Sequence, residues 1–143
     1  FLPIVLTLFI AGVFSIVIAV SLLYIFGAHL PTILSMTTKS ITAPIAIITS
    51  EQIGAIPSLA VGFVLITGIV GALFGTIVFK IFKVKYETSK GFALGLVSHG
   101  IGTARAIEIS EKAAAFAALA MGLSGIFTAI FLPIVITYFK NIF

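Results

Sequence analysis

Residues 90–112 read KGFALGLVSHGIGTARAIEISEK, and the break at His99-Gly100-Ile101-Gly102 decides how this chain can fold. An otherwise helix-like, largely apolar stretch is interrupted there by residues that resist regular helix. A second stretch of the same kind, His29 to Gly54, has a helix-like half before Lys39, an interruption at Ser40-Ile41-Thr42-Ala43-Pro44, and a second half ending near Glu51. Both stretches are apolar enough for lipid yet carry Pro, Gly, Thr and isolated charges. Interrupted backbone survives in a bilayer only where it is buried in protein or lines a watery cavity, because an unpaired amide there costs several kcal/mol. Two broken elements therefore imply two such places, or one shared place.

The surrounding composition supports a membrane setting. Of 143 residues, 61% are hydrophobic and 8% charged, whereas soluble domains carry about one quarter charged residues. No Asp, Glu, Lys or Arg occurs in 1–38, 53–79 or 113–139. Each run supplies a helix of the ~20 residues needed to cross hydrocarbon, with expected spans Pro3–Phe26, Pro57–Phe82 and Ala113–Tyr138. The expected fold is an all-α integral membrane protein, a multi-span helical bundle forming one membrane domain over residues 1–143. The absence of Cys removes disulfides, thiolate metal sites and Cys nucleophiles. The net charge of +4 concentrates at Lys80, Lys83, Lys85 and Lys90, which is the mark of a cytoplasmic loop rather than of nucleic-acid binding. No basic segment precedes the first span and no Met begins it, so a signal peptide is a poor reading and the chain reads as a piece of a longer protein.

Sliding the chain against itself by 60 positions aligns 39–66 with 99–126, and the matches include Ile41/Ile101, Ala46/Ala106, Ser50/Ser110, Glu51/Glu111 and Gly62/Gly122. The expected internal repeat covers about 30–82 and 90–140. Each unit is one broken element followed by one full helix, and Lys39 aligns with His99. Paired interrupted segments in corresponding positions of two halves point to a transporter's binding site. If each broken element crosses, the repeats are parallel; if each is a re-entrant hairpin, they are inverted. Lys140, placed beside the lysine loop only in the first arrangement, favours crossing.

At the second break, Gly100 and Gly102 free the backbone, Ser98 or Thr103 can cap a new half-helix, and Arg105 sits in its first turn. Such a helix start favours an anion, and a guanidinium suits a planar carboxylate. His99 can donate to a substrate or carry a coupling proton. The competing reading is an Arg105–Glu108 pair at i+3. In the first break, Ser40 and Thr42 offer neutral donors around Lys39, which either meets an anion or snorkels to an interface; Pro44 suits a first helical turn. Substrate-binding candidates are thus Lys39, Ser40, Thr42, Ser98, His99, Gly100, Gly102, Thr103 and Arg105, and proton-coupling candidates are His99, Glu51 and Glu111. The two glutamates read more simply as interfacial helix ends. No metal site, cofactor motif or catalytic constellation is recognisable, which speaks against an enzyme.

The motifs Lys-Ser-x-Thr-x-Pro-Ile-Ala at Lys39–Ala46, Ser-Glu-Gln-Ile-Gly at Ser50–Gly54 and Ser-His-Gly-Ile-Gly-Thr-Ala-Arg-Ala at Ser98–Ala106 resemble the LrgB/CidB family of bacterial membrane proteins. The family is antiholin-like and is itself similar to the plastid glycolate/glycerate translocator. The resemblance implies a protein of the bacterial cytoplasmic membrane with one of two activities. One is proton-linked transport of small monocarboxylates such as pyruvate, glycolate or glycerate. The other is holin-like modulation of murein hydrolases and lysis. The implied partners are the lipid bilayer, a small anionic metabolite, and a second copy or a small LrgA/CidA-type membrane protein. Paired breaks bearing cations favour the carrier.

Overall fold

A computed structural model describes residues 2–140 and the side chains of 2–138. The order is α1 (Leu2–Ile25), α2 (Leu30–Met36), α3 (Ala43–Ile53), α4 (Pro57–Ile81), α5 (Glu87–Ile107) and α6 (Glu111–Lys140), with no strand among the described residues. Three of these helices, α1, α4 and the 111–138 part of α6, are long and apolar enough to cross a membrane. Their flanks explain their limits. Gly27, at φ 71°, follows the end of α1, and proline stands in the first turn of α2, α3 and α4, where its missing N–H is not needed. Most of their surface is apolar and outward-facing, as suits helices solvated by lipid.

The chain leaves helical geometry inside α5 at His99, which adopts φ 43° and ψ −126°. The consequence is a reversal of direction. A straight helix would hold residues 87 and 110 about 34 Å apart, yet the Ser110 hydroxyl donates to Glu87 Oε2 at 3.0 Å, and Leu94 packs in one cluster with Ala106. Residues 87–98 enter, 100–107 leave, and both ends of α5 lie on one side. The segment α2–α3 behaves alike. Leu34 clusters with Ile53, and the Ser35 hydroxyl accepts from the Ile56 amide at 2.9 Å while sharing its proton between Pro31 O and Ile56 O. Turns at 37–40 separate the two short helices. Both segments fold back on themselves, as in the hairpin form of the two arrangements that the sequence leaves open. One terminal lysine carries little weight against close packing along both hairpins.

Helix α6 fixes how the hairpins face each other. Its first turns pack on α5, with Ala113 and Ala117 against Leu94 and Ala106. Gly91 and Gly95 let the entering leg approach so closely that a Cβ at either would meet the Ala113 or Ala117 carbonyl at 2.0 Å. Farther along, Leu132 and Ile136 of α6 pack on Leu34 and Ile53 at the mouth of the α2–α3 hairpin. Ala113 and Leu132 are about 28 Å apart along one helix, close to the ~30 Å thickness of bilayer hydrocarbon. The two hairpins thus enter from opposite ends of α6 and their tips approach at mid-height. Helix α1 covers this seam through Leu8, which clusters with Phe92, Leu96 and Ala120. Phe9 adds an edge-to-face contact with Phe127 at 5.5 Å.

Candidate functional site

The two hairpin tips are each fastened to a long helix outside their own hairpin. The Ser124 hydroxyl of α6 donates to the Ser40 carbonyl at 3.3 Å, and His99 Nε2 pairs with the Val64 carbonyl of α4 at 2.9 Å. His99 is 4% exposed. A non-glycine residue at positive φ costs about 1–3 kcal/mol and persists only where its surroundings hold it. Here the Val64 bond does so together with Gly68, at which a Cβ would come within 2.6 Å of His99 Cε1.

Lys39 is the one buried lysine or arginine among the described residues. Its side chain lies inward with the residue 8% exposed, and Nζ donates to Ser15 Oγ at 2.6 Å and to Ser40 Oγ at 2.9 Å. An ammonium in such surroundings is tolerated only with donors satisfied, and α1 supplies one of the two acceptors. Beside this cluster lies a cavity of about 60 Å³, walled by α1, the 37–41 turn, the entering leg of α5 and α6. Its polar lining consists of the hydroxyl residues Ser15, Thr37, Ser40, Ser124 and Thr128.

The remaining sequence candidates distribute as follows. Thr42 precedes α3 but makes no side-chain cap. Thr103 donates to the His99 carbonyl at 2.9 Å rather than capping the leaving leg. Ser98 is fully buried, its hydroxyl lacks a partner, and it points at Gly71, where a Cβ would meet it at 1.9 Å. The capping expected of Ser98 or Thr103 is thus absent, because the reversal at His99 sends both hydroxyls elsewhere. Gly100 is exposed with open space where a Cβ would stand, whereas Gly102 is buried against the Leu94 carbonyl. Arg105 lies on the leaving leg and pairs with Glu108, both partly exposed, as in the i+3 alternative. Glu51 and Glu111 are exposed, one in the last turn of α3 and one at the start of α6. No group of three His, Asp or Glu side chains suited to a metal occurs among the described residues.

The sequence missed Ser15, Ser124 and Thr128. The available signal was slight: Ser15 is the one hydroxyl between Thr7 and Ser21 in the first apolar run.

Three helices long and apolar enough to cross a membrane, packed with two folded-back helical segments beside a buried lysine, define a multi-pass membrane protein. The chain belongs to the LrgB-like family, whose model matches residues 1–138. It is 30% identical over 140 residues to a holin-like protein CidB of Staphylococcus epidermidis RP62A, covering 97% of this chain and 61% of that protein. It is 35% identical over 114 residues to the uncharacterized protein YxaC of Bacillus subtilis 168, covering 80% of this chain and 50% of that one. A holin-like protein CidB of Staphylococcus aureus Mu50 is 29% identical over 114 residues, with the same coverages. The chain thus spans between half and about three fifths of the length of these relatives. No solved structure matches it.

Proposed function

We propose that this chain forms the translocating part of a secondary transporter for small monocarboxylates, of the pyruvate, glycolate or glycerate type, in a bacterial cytoplasmic membrane. The observation that carries this reading is the meeting of two oppositely entering hairpin tips, at mid-height, beside buried Lys39. Discontinuous segments from two halves converging at the midplane are the architecture of alternating-access carriers. The offset of 60 residues seen in the sequence supports an inverted repeat. It relates Val64 to Ser124, the anchors of the two tips, and Leu34 and Ile53 to Leu94 and Ala113, which lie at the two mouths. In this reading each tip is held by the other repeat's long helix, so rocking one repeat against the other opens the centre to alternate sides.

Within the site, Lys39 supplies the positive charge and Ser40 a hydroxyl, with His99 as the proton-coupling residue, the candidate that lies buried at the tips. Thr42, Ser98, Gly100, Gly102 and Thr103 shape the tips. Arg105 serves the outer face of the leaving leg, and Glu51 and Glu111 the hairpin mouths. The reading is non-enzymatic. A second copy, or a small membrane protein of the LrgA/CidA type, is the expected partner.

The test is uptake of radiolabelled glycolate or pyruvate into proteoliposomes holding the purified chain. Uptake that Lys39→Met lowers at least tenfold is the expected result; no uptake, or uptake unchanged by Lys39→Met, overturns the proposal. The relatives' name, holin-like protein CidB, favours a second reading as a modulator of murein hydrolases and lysis. That reading expects leakage of an encapsulated dye from vesicles, or altered lysis of cells, indifferent to Lys39→Met.

A further inference from the structure

We propose that the small cavity beside Lys39 is a carboxylate site in which the ammonium acts through two relaying hydroxyls, those of Ser15 and Ser40. The inference rests on the carrier reading and deepens it by naming the groups that touch the substrate, among them residues of α1 and α6.

The argument is an accounting of hydroxyl protons. An ammonium is donor only, so Ser15 Oγ and Ser40 Oγ act as acceptors toward Lys39 Nζ and must give their own protons elsewhere. Thr37 gives its proton to the Leu34 carbonyl at 2.6 Å and Ser124 to the Ser40 carbonyl. Among the described residues, the Ser15 and Ser40 protons have no such acceptor, and the Thr128 hydroxyl makes no hydrogen bond. All three hydroxyls line the one cavity. Among the described residues no carboxylate and no charged side chain lines it, and its other walls include Leu8, Ile16, Leu96 and Phe127. The site therefore presents donors that want an acceptor, and an ionised carboxylate is an acceptor-only group. Lys39, which instead borders the adjoining groove between α1 and α2, stands behind the two serines as a positioning residue. It polarises their hydroxyls so that the bonds they offer are charge-assisted.

A cavity of about 60 Å³ is several times the ~10–15 Å³ that one water requires on the same measure, which leaves room for a small organic acid. A second carboxylate would have to lie against apolar walls without a partner, which is costly. The site thus takes a short monocarboxylate and rejects a dicarboxylate.

Glycolate serves as the probe. Its radiolabelled form is titrated against the full chain in nanodiscs by scintillation proximity, and acetate and malonate are added as competitors. Saturable binding that acetate displaces and malonate does not is expected. Ser15→Ala and Ser40→Ala should each weaken it by about tenfold, the loss of one charge-assisted hydrogen bond. Gly12 also lines the cavity, so the bulky side chain of Gly12→Leu should crowd the site and abolish binding. Thr7→Val, on the outward face of α1, is the control and should change nothing. A readout that leaves the cavity open uses Gly12→Cys in this cysteine-free chain: glycolate should slow thiol modification by a methanethiosulfonate. Absence of saturable binding, binding indifferent to Ser15→Ala and Gly12→Leu, or no protection at Gly12→Cys overturns the site. Binding with these properties but no uptake into proteoliposomes overturns the carrier and leaves the site standing. Uptake that survives Ser15→Ala and Gly12→Leu does the reverse.

Discussion

Replacing Gly102 by alanine gives opposite signs for a hairpin and for a straight helix. In an uninterrupted α5, Gly102→Ala would be a glycine-to-alanine change in a helix interior and would stabilise by about 0.8–1 kcal/mol. In the structure, a Cβ at Gly102 meets the Leu94 carbonyl oxygen at 2.1 Å and Ser98 Cβ at 2.6 Å. Ordinary contact begins at 3.4 Å, so the entering leg must retreat by 3.4 − 2.1 = 1.3 Å. A backbone carbonyl cannot swing aside as a flexible side chain does, and Leu94 is itself held against Ala106, Ala113 and Ala117. Overpacking of this kind costs about 1–3 kcal/mol, and after the helix-propensity gain a net loss of up to about 2 kcal/mol remains. The assay is unfolding of the purified chain in mixed micelles by titration with SDS, followed by far-ultraviolet circular dichroism. Gly100→Ala is the comparison, because a Cβ there meets nothing within 4 Å; its midpoint should hold or rise. A Gly102→Ala protein as stable as Gly100→Ala would refute the folded-back geometry.

Three further outcomes follow from the same contacts. With Glu87→Cys and Ser110→Cys introduced together, a short bis-maleimide should join the two thiols within one chain, as read by a mobility shift after proteolysis between them; a failure to join would restore the ~34 Å separation of a straight helix. Because the backbone at residue 99 has φ 43° and ψ −126°, His99→Gly should be more stable than His99→Ala by about 1 kcal/mol in the SDS titration. The reverse order would mean that residue 99 is helical. Gly95→Ala, whose Cβ would press the Ala117 carbonyl at 2.0 Å, should cost about 1–3 kcal/mol, and an unchanged midpoint would place α5 and α6 farther apart.

What the sequence made legible was chemical punctuation, and what it hid was direction. The breaks near Lys39 and His99 could be read because Gly and Pro act locally: Pro44 stands in the first turn of α3 and Gly54 ends that helix at φ 75°, each by its own backbone preference. Whether the chain continues or turns back after such a break depends on partners far along the sequence. The reversal at His99 is compatible only with Glu87 meeting Ser110 and with Gly91 and Gly95 lying on α6, and no local pattern states those pairings. The same distinction divides the site. Lys39 stood out as a charge in an apolar stretch, and an intramembrane charge is costly enough to signal itself. Arg105 stood out equally, but its i+3 neighbour Glu108 was already in reach, and a local pair prevailed over a distant ligand. Ser15 carried no such signal, since a lone hydroxyl in a membrane helix can satisfy itself on its own backbone, as Thr7 does on the Pro3 carbonyl. What gives Ser15 a different role is the arrival of Lys39 Nζ from 24 residues away. A polar centre in a membrane protein is thus announced by its charges, while the neutral groups that complete it become visible once the helices are packed.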